Sequence, residues 1–210
     1  GVLELKEKLG PILWQFPPSF QFDAELFEHF LEQLPHTTAQ AAALARQHDS
    51  HLHGPASLKA HGKRALRHAV EIRHESFVDP AFVRLLKRHN VALVIADTGG
   101  KWPYREDVTS DFVYLRLHGA EELYASGYTP QALKRWGDRI EAWNHGSQPG
   151  DPQLIAPKQK PKARKSREVF CYFDNDIKVR APYDARELLQ RFELDKDLAT
   201  APGEPAGEGV

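Results

Sequence analysis

The sequence contains no methionine and a single cysteine, Cys171, among its 210 residues. One cysteine excludes an intrachain disulfide and points to a reducing, cytoplasmic compartment. No apolar run approaches the length of a membrane-spanning helix, so no membrane partner is expected. A dominant charge sign is also missing. Basic residues number 28 and acidic ones 29, a formal net charge of -1, which argues against a protein built around non-specific nucleic-acid or membrane binding. The chain opens Gly1-Val2-Leu3-Glu4-Leu5-Lys6 without an initiator methionine or a signal peptide, and this opening reads as the inside of a helix. From about Asp195 it drifts into Ala, Pro, Gly and Glu. The expected division is a partial domain over residues 1–193, cut at its front, and a disordered tail over residues 194–210.

What is present suits one good core: 41% of residues are hydrophobic and 27% charged. Five strand-length apolar runs stand out, at residues 11–16, 69–73, 91–97, 112–118 and 169–173, several of them nearly continuous in hydrophobicity. Amphipathic helices follow most of them. Asp23 precedes Phe27, Phe30, Leu31 and Leu34 at helical spacing, and an alanine-rich helix is expected over residues 38–48. Asp79-Pro80 and Thr129-Pro130 each supply a cap and a first-turn proline, ahead of Phe82, Leu85 and Leu86 and of Leu133, Trp136, Ile140 and Trp143. Asp184 precedes Leu188, Leu189 and Phe192. Strand and helix in alternation predict a parallel sheet, because parallel neighbours need a crossover between them. Two stretches break the rhythm. Residues 98–110 join the third run to the fourth without a helix and read as a functional or cap-like loop. Residues 146–167, rich in Pro, Lys, Gln and Arg, read as a solvated insertion or else a basic nucleic-acid contact.

Every run turns polar at its C-terminal end: Gln15, then Glu71-Ile72-Arg73-His74, Asp97, Arg116-Leu117-His118, and Asp174-Asn175-Asp176. In a parallel barrel those ends converge on the face where active sites are built. Alternation puts Glu71 and Arg73 on one side of their strand and Tyr114, Arg116 and His118 on one side of theirs, with Val113, Leu115 and Leu117 toward the helices. Glu71, Arg73 and Arg116 are then either site residues or an ion-paired plug filling the barrel.

At these residues the chain resembles a known family, the bacterial and archaeal proteins called domain of unknown function seventy-two, or YecE-like. The segments that carry the likeness are Leu9-Gly-Pro-Ile-Leu-Trp-Gln-Phe-Pro-Pro-Ser-Phe20, Val70-Glu-Ile-Arg-His-Glu-Ser-Phe77, Ala96-Asp-Thr-Gly-Gly-Lys-Trp-Pro103, Asp111-Phe-Val-Tyr-Leu-Arg-Leu-His-Gly119 and Cys171-Tyr-Phe-Asp-Asn-Asp176, with Leu123-Tyr124, Trp136 and Trp143. The resemblance implies an α/β fold of the TIM-type (β/α)8 barrel class, with about five of eight strands in this chain, and no established activity. Asp174 stands where the family also commonly has Asn.

Two functions fit the polar ends. One is an enzyme, a hydrolase acting on a phosphate ester or sugar-phosphate-like small molecule. Glu71, His74, Asp97, His118 and Asp176 would be its catalytic set, and Gln15, Arg73, Lys101, Trp102, Arg116 and Asn175 would bind substrate. Forked guanidinium groups clamp phosphate, and imidazole or a shifted carboxylate serves as acid or base. The other is a non-catalytic module for a nucleotide, sugar phosphate or nucleic-acid end, with Trp102, Tyr104, Tyr124 and Tyr128 as stacking surfaces. The sequence names no cofactor. His, Asp and Glu on adjacent strands suit a divalent metal as an alternative to direct acid–base chemistry, but no metal ligands are assigned. His48, His51, His53 and His61 fit no ligand spacing, and Gly99-Gly100-Lys101 lacks the spacing of a phosphate loop. Cys171 is expected to be a buried small hydrophobe.

Overall fold

The computed structural model describes residues 2–47, 62–119, 127–175 and 179–196. Its five strands are β1 (Ile12–Gln15), β2 (His68–Glu71), β3 (Ala92–Asp97), β4 (Phe112–Leu117) and β5 (Glu168–Phe173). All neighbours are parallel, and the order in space is the order in sequence. The helices are α1 (Ala24–Glu32), α2 (Thr38–Ala45), α3 (Pro80–Arg88), α4 (Pro130–Asn144) and α5 (Ala181–Arg191).

The helix starts follow from the capping chemistry. The side chains of Asp23, Thr37, Asp79 and Thr129 each accept a first-turn backbone N–H, and Pro80 and Pro130 stand just inside their helices. Helix α5 departs from expectation. It begins at Ala181, so Asp184 lies inside its first turn, with its side chain directed to the neighbouring loops rather than to a cap. Helix α2 ends at Ala45, and the expected extension to His48 falls outside the described residues, as do the four-histidine region beyond Gln47 and the tail past Lys196.

Period-two alternation divides the sheet cleanly. Val113, Leu115 and Leu117 pack against Leu133, Trp136 and Trp143 of α4, while Val70, Ile72 and Leu93 pack against Phe27, Leu31, Phe82 and Leu86 of α1 and α3. The opposite face carries Leu13, Ala69, Ala92, Val94, Ala96, Phe112, Tyr114 and Phe170. That face is strongly curled. In a flat sheet β1 and β4 would lie about 14 Å apart, yet Gln15 of β1 accepts a hydrogen bond of 3.0 Å from Arg116 of β4. A Cβ on Gly10, just before β1, would lie 3.8 Å from the Tyr172 hydroxyl of β5. The fold is therefore a parallel α/β sheet with helices, as the strand rhythm predicts, and among the described residues the sheet does not close into a ring. Among the described residues β1 and β5 each pair with one strand only.

Residues 98–110 form a loop with no helix, as expected. Residues 146–167 do not behave as a solvated insertion. Ile155 and Ala156 enter the core beside α3. Asp107 accepts their backbone N–H groups at 2.7 and 3.0 Å, and Glu106 accepts that of Gln153 at 2.8 Å. The stretch is a strap fastened by two buried carboxylates. Its polar composition hid the few apolar residues that dock.

Candidate functional site

The C-terminal ends of β2, β4 and β5 carry a continuous polar array on the curled face. Glu71, 1% exposed, accepts from Arg73 Nε at 2.9 Å through one carboxylate oxygen and from Arg116 at 2.5 Å through the other. Both guanidinium groups also donate to the Gln15 amide oxygen, at 2.7 Å from Arg73 and 3.0 Å from Arg116. Arg116 continues to the Asp174 carboxylate, and the same Asp174 oxygen lies 3.1 Å from Nδ1 of His118. Forked donors explain why arginine suits this place: Arg116 serves Gln15, Glu71 and Asp174 from one planar group.

His118 is fully buried. Its pKa is held below the ordinary imidazole value, chiefly by burial and by the Arg116 charge, against the opposing pull of Glu71 and Asp174. The ring is therefore neutral at neutral pH. Its Nδ1 is the ring nitrogen that faces the Asp174 carboxylate. Arg116 itself is stabilised in its charged form by Glu71 and Asp174, which together outweigh its burial.

An open cleft of about 610 Å³ adjoins this array, bounded by Pro18, Arg73, His74, Lys101, Trp102 and Arg105, together with Glu75, Gly100, Pro103 and Tyr104. The Trp102 ring lies beside two cations, Arg73 at 5.4 Å and Lys101 at 5.2 Å from its centroid. The turn that presents it uses Gly99 and Gly100 at φ 60° and 83°, where a Cβ would be strained. The Thr98 hydroxyl pins the turn by accepting from the Trp102 backbone N–H at 3.0 Å. Arg105 pairs with Glu75 at 3.3 Å.

The expected site residues thus separate into groups. Gln15, Glu71, Arg73, Arg116 and His118 come together, and Lys101 and Trp102 line the cleft beside them. His74 faces the cleft too, but its Nδ1 is engaged by Ser76, accepting from the Ser76 N–H at 3.1 Å and meeting the hydroxyl at 2.8 Å. Asp97 does not join the array. Its register partner is Leu117, which faces the helices, and its carboxylate accepts from the Tyr128 hydroxyl at 3.2 Å. Burial raises its pKa above the ordinary carboxylate value. Asn175 is fully buried and donates to Asp184 at 2.8 Å, so its amide serves the fold behind the strands. Asp176 lies outside the described residues, as does Tyr124. Among the described residues no three His, Cys, Asp or Glu side chains gather in a metal-binding group.

Asp174 was read only as part of the polar end of the fifth strand and Tyr128 only as a stacking surface, while Asp184 was given no site role. The signal for Asp174 was present, because Phe170, Tyr172 and Asp174 share one side of β5, opposite to Cys171 and Phe173. Nothing local marked Asp184, whose partners lie 56 and 9 residues away.

Fold and array together define a parallel α/β protein whose polar residues converge at the carboxyl ends of its strands. The model of the protein of unknown function DUF72 family matches residues 1–208, and the chain belongs to that family. A search of curated proteins finds no match. Among solved structures, a DUF72 family protein from Thermotoga maritima is similar with a TM-score of 0.60 and 22% identity, over 91% of this chain and 60% of that one. Two structures of a DUF72 family protein from Enterococcus faecalis give TM-scores of 0.59 and 0.56 at 18% and 17% identity. They are matched over 93% and 92% of this chain and 62% and 64% of theirs. At such identities the likeness is one of fold, and the chain spans under two thirds of each relative's length.

No helix among the described residues is long and apolar enough to cross a membrane.

Proposed function

We propose that the carboxyl ends of these strands form the active site of a cytoplasmic hydrolase acting on a phosphate ester or sugar-phosphate-like small molecule, within a strand arrangement that is part of a (β/α)8 barrel. The sequential parallel order and the curl that brings Gln15 to Arg116 favour the barrel reading. The observation that carries the chemistry is the run Arg73–Glu71–Arg116–Asp174–His118 across three strand ends. Asp174, 35% exposed, takes a proton from an attacking water, with Nδ1 of the buried His118 3.1 Å away. Arg73 and Lys101 face the cleft where phosphoryl oxygens would lie and offset the charge that builds on them.

A second reading, a binding module without turnover, is favoured by one feature. Both Glu71 oxygens are already engaged by guanidinium groups, which suits holding an anion site rigid more than moving protons. Its occupant would be a nucleotide, a sugar phosphate or a nucleic-acid end.

The two readings separate by following a panel of phosphorylated sugars and nucleotides with phosphorus NMR. Release of inorganic phosphate, abolished by His118→Asn with the melting temperature unchanged, supports the hydrolase. A ligand held tightly and recovered intact supports the module, and neither release nor binding removes both.

A further inference from the structure

Behind the strand ends runs a second hydrogen-bonded chain that no step above uses. Asp184, 7% exposed in the first turn of α5, accepts through a single oxygen from the Tyr128 backbone N–H at 3.2 Å and from the Asn175 amide at 2.8 Å. Tyr128 carries the chain onward. Its hydroxyl donates to Asp97 at 3.2 Å and accepts the Gly119 N–H at 3.1 Å, and the Asp97 carbonyl accepts the His118 N–H at 2.9 Å. Asn175 is the next residue after Asp174, whose own N–H donates to the Leu117 carbonyl at 2.8 Å. One buried carboxylate thereby gathers the ends of three strands, β3 through Asp97, β4 through His118 and Gly119, and β5 through Asp174 and Asn175.

We infer that Asp184 is the positioning residue of the His118–Asp174 pair, acting through Asn175 on one member and through Tyr128 on the other. Each member takes the last ladder bond of its strand, and the residues that follow them, Gly119 and Asn175, are held by Tyr128 and Asp184 instead. A ring nitrogen and a carboxylate 3.1 Å apart lose their contact with a displacement of well under about 1 Å. A single oxygen receiving donors from both sides couples the two positions, so they shift together or not at all. The inference rests on reading His118 and Asp174 as the acid–base pair. Its test reads the ring itself, and so gives an answer whether or not the protein turns over a phosphate ester.

The experiment is nitrogen NMR of the His118 ring in the full chain. In the unaltered protein the neutral ring is expected to hold its proton on Nδ1, facing Asp174. Asp184→Ala is expected to shift the ring toward the Nε2–H form that a histidine adopts without such a partner. Asp184→Asn, whose amide oxygen still accepts both donors, restores the original signature. Leu188→Ala removes a buried contact of the same helix, lowering the melting temperature while leaving the ring signals in place. Should Asp184→Ala fail to fold, Tyr128→Phe removes only the hydroxyl link and moves the ring in the same direction. The inference is overturned if neither Asp184→Ala nor Tyr128→Phe changes the tautomer, if Leu188→Ala changes it equally, or if the unaltered ring carries its proton on Nε2.

Discussion

Two buried clusters of carboxylates and guanidinium groups lie in this molecule and differ in what the carboxylates bind. Behind the sheet, Asp107 gives both oxygens to backbone N–H groups of the strap, and Glu106 accepts another while lying 3.4 Å from Arg139 Nε. Arg139 passes on to Asp151 at 2.9 Å. On the curled face, Glu71 gives both oxygens to side chains, Arg73 and Arg116, which remain 16% and 15% exposed, Arg73 at the edge of the open cleft. A carboxylate satisfied by main chain holds a loop down and offers nothing outward. One satisfied by long cationic side chains holds those cations in place, with their remaining donors toward space a ligand can enter. Residue type and burial are alike in the two clusters; what differs is the partners.

The largest effect is expected at the strap. Asp107→Ala leaves the N–H groups of Ile155 and Ala156 buried without their carboxylate, at a cost of about 4 kcal/mol from two charge-assisted bonds. Urea denaturation measures it, and the NMR signals of His118 in the residual folded protein should stay in place. If they move, the two clusters are coupled and the distinction fails. Glu71→Gln comes next. It keeps one acceptor but faces two guanidinium groups with no neutralising charge, so a loss of about 2–3 kcal/mol is expected, with Arg116 drawn toward Asp174. A loss below roughly 0.5 kcal/mol would mean that solvent already screens these pairs, against the 1% exposure of Glu71.

How far the sequence revealed this contrast depends on the range of the contacts. Strand positions, caps and the two faces were legible because they follow from period-two alternation and from Asp, Thr and Pro signals within four residues of each helix start. The association of Glu71, Arg73, Arg116 and His118 was legible for the same reason, since parity along β2 and β4 places them on one face. Asp97 stands apart from the array because it ends β3 on the opposite parity, where Leu117 is its neighbour. The contacts of Asn175 and of the strap were not legible because they depend on partners fixed only in three dimensions: Asp184 for the first, Glu106 and Asp107 for the second. Strand closure depends on chain pairing at β1 and β5, which no pattern inside the five strands encodes.

A third buried polar contact sharpens the comparison through pH. His68 accepts from Trp14 Nε1 through Nδ1 at 3.0 Å and meets the Pro35 carbonyl through Nε2 at 2.8 Å, an arrangement that only the neutral Nε2–H ring satisfies. Burial lowers its pKa, and that of the adjacent His36, below the usual 6.5. Since these folded-state values are depressed, the unfolded chain binds the extra protons. Their contribution is intact above about pH 6.5 and is lost progressively as pH falls below it. Asp97 acts in the opposite sense: its raised pKa favours the fold below its unfolded value of 3.8, and that contribution is lost as pH rises through the folded value. A melting temperature that falls between pH 7.5 and 5.5, with a shallower fall in His68→Gln, is expected. An unchanged slope in the variant would remove His68 as the source.

The smallest change in stability is expected at the cleft, and there the comparison is most exposed to failure. Lys101 is exposed, its ammonium group lies 5.2 Å from the Trp102 ring centroid, and it belongs to the turn held by Thr98. Removing a solvated cation beside an aromatic ring should change folding stability by less than about 0.5 kcal/mol. The same ammonium group is one of the cations facing the space beside Arg73, so Lys101→Ala should weaken binding of a phosphorylated sugar about tenfold, the equivalent of roughly 1.4 kcal/mol. Calorimetric titration alongside a thermal melt gives both numbers from one preparation. Weakened binding with an unchanged melt assigns the curled face to a ligand. A lowered melt with unchanged binding would make Lys101 and Trp102 a structural lid, and the array beneath them a plug like the one behind the sheet.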